Sequence, residues 1–191
     1  MKSKINSTAV NSKLVLSYLR NAEIFWVLSF SVLMFIASQI SIPVQPVPFT
    51  LQTIVVLLAG AFLGSKNGAM SMIIYLLAGA IGLPVYANFS GGFPHLFGPT
   101  GGYLLAFPFA AFFVGKISEK KNSVYALAFT MILSVAFILF SGSLYLSLFV
   151  GNDLKTAFVL GAESFTIWAL AKIAVALVIY YSVPNKFRRL P

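Results

Sequence analysis

The chain has 191 residues, of which 59% are hydrophobic and only 9% charged, against about 25% charged residues in soluble domains, which makes it an integral membrane protein. It has no cysteine, one histidine and four acids (Glu23, Glu119, Asp153 and Glu163), which excludes disulfides and thiolate chemistry and leaves too few ligands for an all-protein metal site. The net charge of +9 raises nucleic acid as a partner, and the placement of the charges along the chain decides against it.

Residues 1–22 are basic and polar, with Lys2, Lys4, Lys13 and Arg20 and no apolar core of a signal peptide. Val10, Leu14 and Tyr18 fall at helical spacing, so this segment is either a basic tail or an interfacial helix lying on anionic lipid. The membrane domain then covers 23–185 and a basic tail 186–191. Within it, six apolar segments at about 24–40, 49–64, 68–83, 101–117, 123–149 and 163–183 are each close to the length that crosses about 30 Å of hydrocarbon. Pro108 falls inside the fourth and is placed to kink it.

If both termini share one side, eleven of the thirteen basic residues share it too: the N-terminal four, Lys66, Lys116, Lys120, Lys121, Lys186, Arg188 and Arg189. The opposite side then holds only Lys155, and Lys172 lies inside the last span. The positive-inside rule therefore predicts an all-α protein of six transmembrane helices with both termini cytoplasmic.

Three connections face the other side. The first, SIPVQPVP (41–48), is stiffened by proline. The second, 82–103, reads GLPVYANFSGGFPHLFGPTGGY: uncharged, aromatic and too rich in glycine and proline for a continuous helix. It reads as a lid folded over a cavity, since a loop meant only for water would be polar. The third runs from about 150 to 162.

The candidate binding residues lie around that lid. Lys172, about 13 Å into its helix, costs about 2.5–3.5 kcal/mol at bilayer depth and so is expected to face the bundle interior, towards a polar ligand or its carboxylate. Trp168 stands four residues earlier and is read as a ring wall, against the alternative of a lipid-facing Trp. Asn88 offers the donors and acceptor that suit a ureido or amide group. Tyr86, Phe93 and Tyr103 supply aromatic walls. Gln45 and Thr50 lie where the first connection meets the second segment; Gln52, about 200° around a helix from Thr50, is expected to face elsewhere. Glu163, at the mouth of the last helix, is the acid nearest Lys172 in sequence. His95 has no second histidine or acid beside it, which argues against a metal.

No Walker A spacing exists around Lys66 or Lys116, so ATP hydrolysis by that route is excluded. With one Asp and one His, neither an aspartyl dyad nor a Ser–His protease is supported. No catalytic residue, metal or cofactor is expected.

The strings SIPVQPVPFTLQ (41–52), LLAGAFLGSKNGAMSMIIYLLAGAIGLPVYAN (57–88), SGG (90–92) and GPTGGYLLAFP (98–108) closely resemble the BioY family. These are the substrate-binding S subunits of energy-coupling-factor (ECF) vitamin transporters, and their vitamin is biotin. The resemblance covers roughly 41–117. It implies a six-helix, multi-pass protein of the bacterial cytoplasmic membrane that captures biotin and docks on a transmembrane coupling subunit carrying two cytoplasmic ATPases. The remaining alternatives are an S subunit for another vitamin, a self-sufficient secondary transporter, or a membrane enzyme or scaffold without a ligand, which the few acids disfavour.

Two positions depart from the family pattern. Aligning the family's last-helix lysine to Lys172 places Ala169 where an Asp is usual, so either Glu163 or Asp153 supplies an acid or the ligand contacts differ. On the first helix, Ser29, Ser31 and Ala37 stand where an Ala-xxx-Ala docking spacing is common.

Overall fold

A computed structural model describes residues 22–120, 123–185 and 188–190, and is helical apart from one short strand pair. The basic segment 1–21, with Lys121 and Lys186, lies outside the described residues, and with it the choice between tail and interfacial helix. Helix α1 is Ala22–Gln39. Strands β1 (Ser41–Ile42) and β2 (Phe49–Thr50) pair antiparallel, Ser41 opposite Thr50 and Ile42 opposite Phe49, and close the proline-rich connection into a loop. Then come α2 (Gln52–Ala80), α3 (Phe93–Leu96), α4 (Gly101–Lys120), α5 (Val124–Leu146), α6 (Leu154–Phe158) and α7 (Ser164–Ser182). A π-helical turn, Val159–Glu163, joins α6 to α7 without a break. Five helical stretches, counting α6 through α7 as one, are long and apolar enough to cross a membrane.

The α2 range conceals a reversal. Gly64 has φ 79° and ψ −174°, outside helical space. The Gln52 Nε2 donates to the Tyr75 hydroxyl at 2.7 Å, although residues 23 apart on one straight helix stand roughly 34 Å apart. Likewise, a Cβ at Gly68 would lie 2.9 Å from the Ala59 carbonyl oxygen. Residues 52–63 and 65–80 are therefore the two arms of a tight helical hairpin. The first arm, about 18 Å long, is shorter than a full crossing. Its outward-facing backbone is covered by α4: a Cβ on Gly60 would be 2.3 Å from the Ala111 carbonyl oxygen, and one on Gly115 would be 2.3 Å from Ser65 N. In hydrocarbon, where no hydrophobic force drives helices together, such close backbone approach is what holds them. The small residues Gly60, Gly64 and Gly68 thus serve the helix packing that their spacing predicts.

The hairpin turn has its own polar cap. Glu119, at the end of α4, accepts from the Ser65 backbone N–H at 2.6 Å and the Ser65 hydroxyl at 2.8 Å. The chain end joins it there: Arg189 donates to the carbonyls of Ser118 and Glu119, and the Leu190 N–H donates to the Phe62 carbonyl. Arg188 lies over the Tyr181 ring at 4.6 Å and donates to the Tyr181 and Val183 carbonyls. The turn at Lys66, the ends of α4 and α7 and the last residues consequently gather at one end of the bundle, the basic end. The α1 C-terminus contacts the 82–103 segment at the other, since Ser38 donates to the Val85 carbonyl at 2.7 Å.

One expectation is corrected here. The third connection, expected to run from about 150 to 162, is helical from Leu154, because Asp153 caps α6 by accepting from the Lys155 N–H. The Thr156 hydroxyl and that N–H hold its carboxyl below the usual range.

Gly64 admits no side chain: its φ is left-handed, and a Cβ would sit 2.6 Å from Glu119 Oε1. Gly64→Ala is therefore expected to lower stability by about 1–3 kcal/mol. Thermal unfolding in detergent reads this as a fall of several degrees. Gly151→Ala, at a left-handed glycine with nothing within 4 Å, should cost less.

Candidate functional site

At the loop end, the 41–50 and 82–103 segments and the helix ends enclose a cavity of about 430 Å³, within the usual range for a small-molecule site. Gln45 and Thr50 line it from the β1–β2 loop and Gln52 from the start of α2. Tyr86, Asn88, Pro94, His95 and Thr100 come from the lid segment, Tyr103, Leu104 and Phe107 from α4, Ile138 and Leu139 from α5, and Phe165 and Lys172 from α7. The lid expected from composition is thus a wall of a real cavity. A second groove of about 510 Å³, between α4 and α5, is lined almost wholly by apolar groups and lacks polar groups to orient a guest.

The walls are held by polar contacts inside the protein. Thr50 donates to Gln52 Oε1 at 2.9 Å and Gln52 passes the chain on to Tyr75, which is 1% exposed. Both Thr50 and Gln52 reach the cavity, contrary to the expectation that they face apart. The 200° separation holds only when both residues are helical, and Thr50 belongs to β2 while α2 begins at Gln52. Tyr86 donates its hydroxyl to the Leu76 carbonyl at 2.7 Å, its ring filling the place where Gly79 has no Cβ. Burial pushes that hydroxyl up to about 12, so it stays a neutral donor. Tyr103 donates to the Gly161 carbonyl at 3.0 Å, a group presented by the π-helical turn. Both tyrosines spend their hydroxyls on protein and offer the cavity ring surface. Phe49 stacks on Phe165 at 4.0 Å and ties the loop to α7.

Lys172 is different. It lines the cavity, yet no carboxylate among the described residues is within reach of it. Each of the four acids is placed elsewhere. Glu23 is exposed at the start of α1, Glu119 caps the hairpin at the basic end, Asp153 caps α6, and Glu163 is exposed at the end of the π turn. Neither of the acids considered as substitutes at Ala169's position joins the lysine, and Ala169 itself is buried in the core. The cavity therefore presents one cation and a set of neutral donors and acceptors.

Asn88 stands at the rim in a left-handed conformation, φ 58° and ψ 38°, with its Oδ1 accepting from the Ser41 hydroxyl at 3.2 Å. Asparagine tolerates this backbone better than most residues.

Of the nine candidate residues, the structure brings Gln45, Thr50, Tyr86, Asn88, Tyr103 and Lys172 to one cavity, and does not bring Phe93, Trp168 or Glu163. Phe93 and Phe97 stack on each other on the outer face of the single-turn α3, both exposed. Trp168 is 57% exposed. At about 100° per residue, the buried positions Phe165, Ala169, Ile173, Ala176 and Tyr180 centre about 60° to one side of Lys172, and Trp168 falls about 40° to the other. That puts the lysine on the edge of the buried face and the tryptophan beyond it, towards lipid. Among the lining residues outside the nine candidates are Gln52, Thr100, Phe107 and Phe165. The i,i+7 relation of Phe165 to Lys172 was the available signal for one of them.

The BioY family model matches residues 7–189. The chain is 41% identical over 157 residues to the "Probable biotin transporter BioY" of Pyrococcus horikoshii, covering 82% of this chain and 93% of that one. It is also 41% identical over 150 residues to the "Biotin transporter BioY" of Thermotoga maritima, covering 78% and 88%. A crystal structure of the S-component for biotin from an ECF-type ABC transporter superposes with a TM-score of 0.75 at 24% identity, covering 88% of this chain and 96% of that one, and so shares the fold.

Because Gln52 is 5% exposed and satisfies the Tyr75 hydroxyl, Gln52→Leu should cost about 1–3 kcal/mol through the buried group it leaves unpaired. Thermal unfolding of the detergent-solubilised variant measures this, and Phe93→Ala, on the outer face, should change far less.

Proposed function

This chain belongs to the BioY family, and on that premise we propose that it captures biotin at the outer face of the cytoplasmic membrane as the S subunit of an ECF-type transporter. The observation that carries this reading is the cavity under the lid, where a lysine at membrane depth has no acid of its own among the described residues. A buried ammonium left without a counter-charge is costly. A ligand that brings a carboxylate removes that cost when it binds.

Biotin has chemically distinct ends that suit the two polar regions of the cavity. Its carboxylate pairs with Lys172, and its ureido ring meets the Asn88 amide, whose oxygen already accepts from Ser41. The thiophane ring and the valeryl chain lie against Phe107, Leu104, Ile138 and the faces of Tyr86 and Tyr103. Matching every urea donor and acceptor favours biotin over analogues that leave a buried group unpaired.

The topology that fits this role has six membrane helices, the two arms of α2 counting separately, with both termini cytoplasmic. It rests on the basic end: Lys66, Lys116, Lys120, Arg188 and Arg189 sit there, and the lid sits at the other end. The chain lacks an ATP-binding motif, so energy for uptake comes from a coupling subunit with two cytoplasmic ATPases.

Calorimetry of the purified chain with biotin, thiamine and riboflavin tests the ligand, with binding expected for biotin alone. Lys172→Met should weaken biotin binding at least about tenfold, or about 1.4 kcal/mol, and should leave the already weak binding of biotin methyl ester nearly unchanged. Equal loss for acid and ester would remove the carboxylate pairing. Asn88→Ala should also cost about tenfold, for acid and ester alike. Cells expressing the chain with the coupling subunit and ATPases should accumulate biotin, and cells expressing it alone should not.

A further inference from the structure

The left-handed turn that carries Asn88 is unusual in its second residue. Asn88 has φ 58° and Phe89 has φ 54°. An asparagine adopts this region without much cost, but a phenylalanine seldom does. Phe89 gains little to offset it from burial: the residue is 66% exposed, with its ring edge-on to Phe35 at 6.3 Å. Something else must hold the turn.

The last residue of α1 is placed to do so. Gln39 Oε1 accepts from the Phe89 backbone N–H at 2.9 Å, and Gln39 Nε2 donates to the Tyr86 carbonyl at 3.0 Å and to Ser38 Oγ at 2.7 Å. One amide thus grips the chain on both sides of Asn88, with all its main hydrogen-bonding positions used on protein. Gln39 does not line the cavity. It touches the backbone that presents the binding residue and nothing of the space a ligand fills.

We infer that Gln39 is the positioning residue for Asn88, fixing the turn 86–89 so that the Asn88 amide faces the cavity before any ligand arrives. This rests on the biotin reading only for the identity of the ligand; the clamp itself consists of contacts within the protein. A preset turn leaves less ordering to be done at binding, and that is where its contribution to affinity lies. Because the clamp is the end of α1, a displacement of that helix along its axis loosens Asn88 directly.

The test uses the full chain in detergent and two readouts. In the first, hydrogen exchange at the Phe89 amide is followed without ligand. Gln39→Met, of similar size but with no amide, should speed it at least about tenfold, and Gln39→Glu, which keeps an acceptor, should speed it less. In the second, biotin affinity is measured in a double-mutant cycle. Gln39→Met should weaken binding at least about fivefold in the wild-type background but less than about twofold once Asn88 is alanine, because the amide it positions is gone. A merely structural role lowers thermal stability and gives additive losses. Additive losses, or unchanged Phe89 exchange in Gln39→Met, overturn the clamp. A wild-type chain that binds no biotin overturns the ligand reading instead, and the exchange measurement still decides the clamp.

Discussion

Inside a hydrocarbon layer a polar group that the protein does not answer itself stays costly, and nearly every polar side chain described in this bundle is answered. The serines of α1 donate to neighbouring backbone: Ser31 reaches the Ser71 carbonyl at 2.7 Å. Tyr86 and Tyr103 give their hydroxyls to carbonyls, and Gln52 and Tyr75 satisfy each other. Against that background, the ammonium of Lys172 stands in a cavity with no acid among the described residues. The rest of the cavity is arranged around that one open valence: neutral, aromatic-walled and roofed by a segment without charge.

Close packing makes room for the cavity by concentrating small residues elsewhere. The α2 hairpin and α4 approach backbone to backbone through Gly60, Gly64, Ala111 and Gly115, and the Glu119 carboxylate and Arg189 close the polar turn at the basic end. That half of the molecule is solid, with Ala61, Val114 and Leu127 at or near zero exposure. The loop end differs in kind. There the 41–50 and 82–100 connections cover the helix ends and leave a cavity that side chains do not fill. Rigid packing at one end and a roofed void at the other is the division of labour a capture subunit needs.

Much of this was legible in the residues, and the failures have physical causes. Hydropathy located the spans, and the glycine, proline and aromatic content of 82–103 marked the segment that walls the cavity. Lys172 stood out because a cation in a span is costly unless paired, and Asn88 because its amide offers donors and an acceptor that suit a ureido or amide group. Trp168 misled because i,i+4 neighbours lie about 40° apart on a helix, enough to cross from the edge of the buried face to the lipid. Phe93 misled because an aromatic lid has an outside as well as an inside. Gln52 was missed because helical angles were applied across a strand–helix boundary. The hairpin at Gly64 was legible as well, since the apolar segments 49–64 and 68–83 read as separate spans with Lys66 between them, and the positive φ of Gly64 makes that turn.

The most direct test is a structure of the chain with biotin bound. The account predicts the vitamin under the 82–103 lid, with its carboxylate within about 2.7–2.9 Å of Lys172 Nζ and its ureido group against Asn88. Biotin lodged elsewhere, or a Lys172 side chain turned to lipid with the cavity closed, would contradict it.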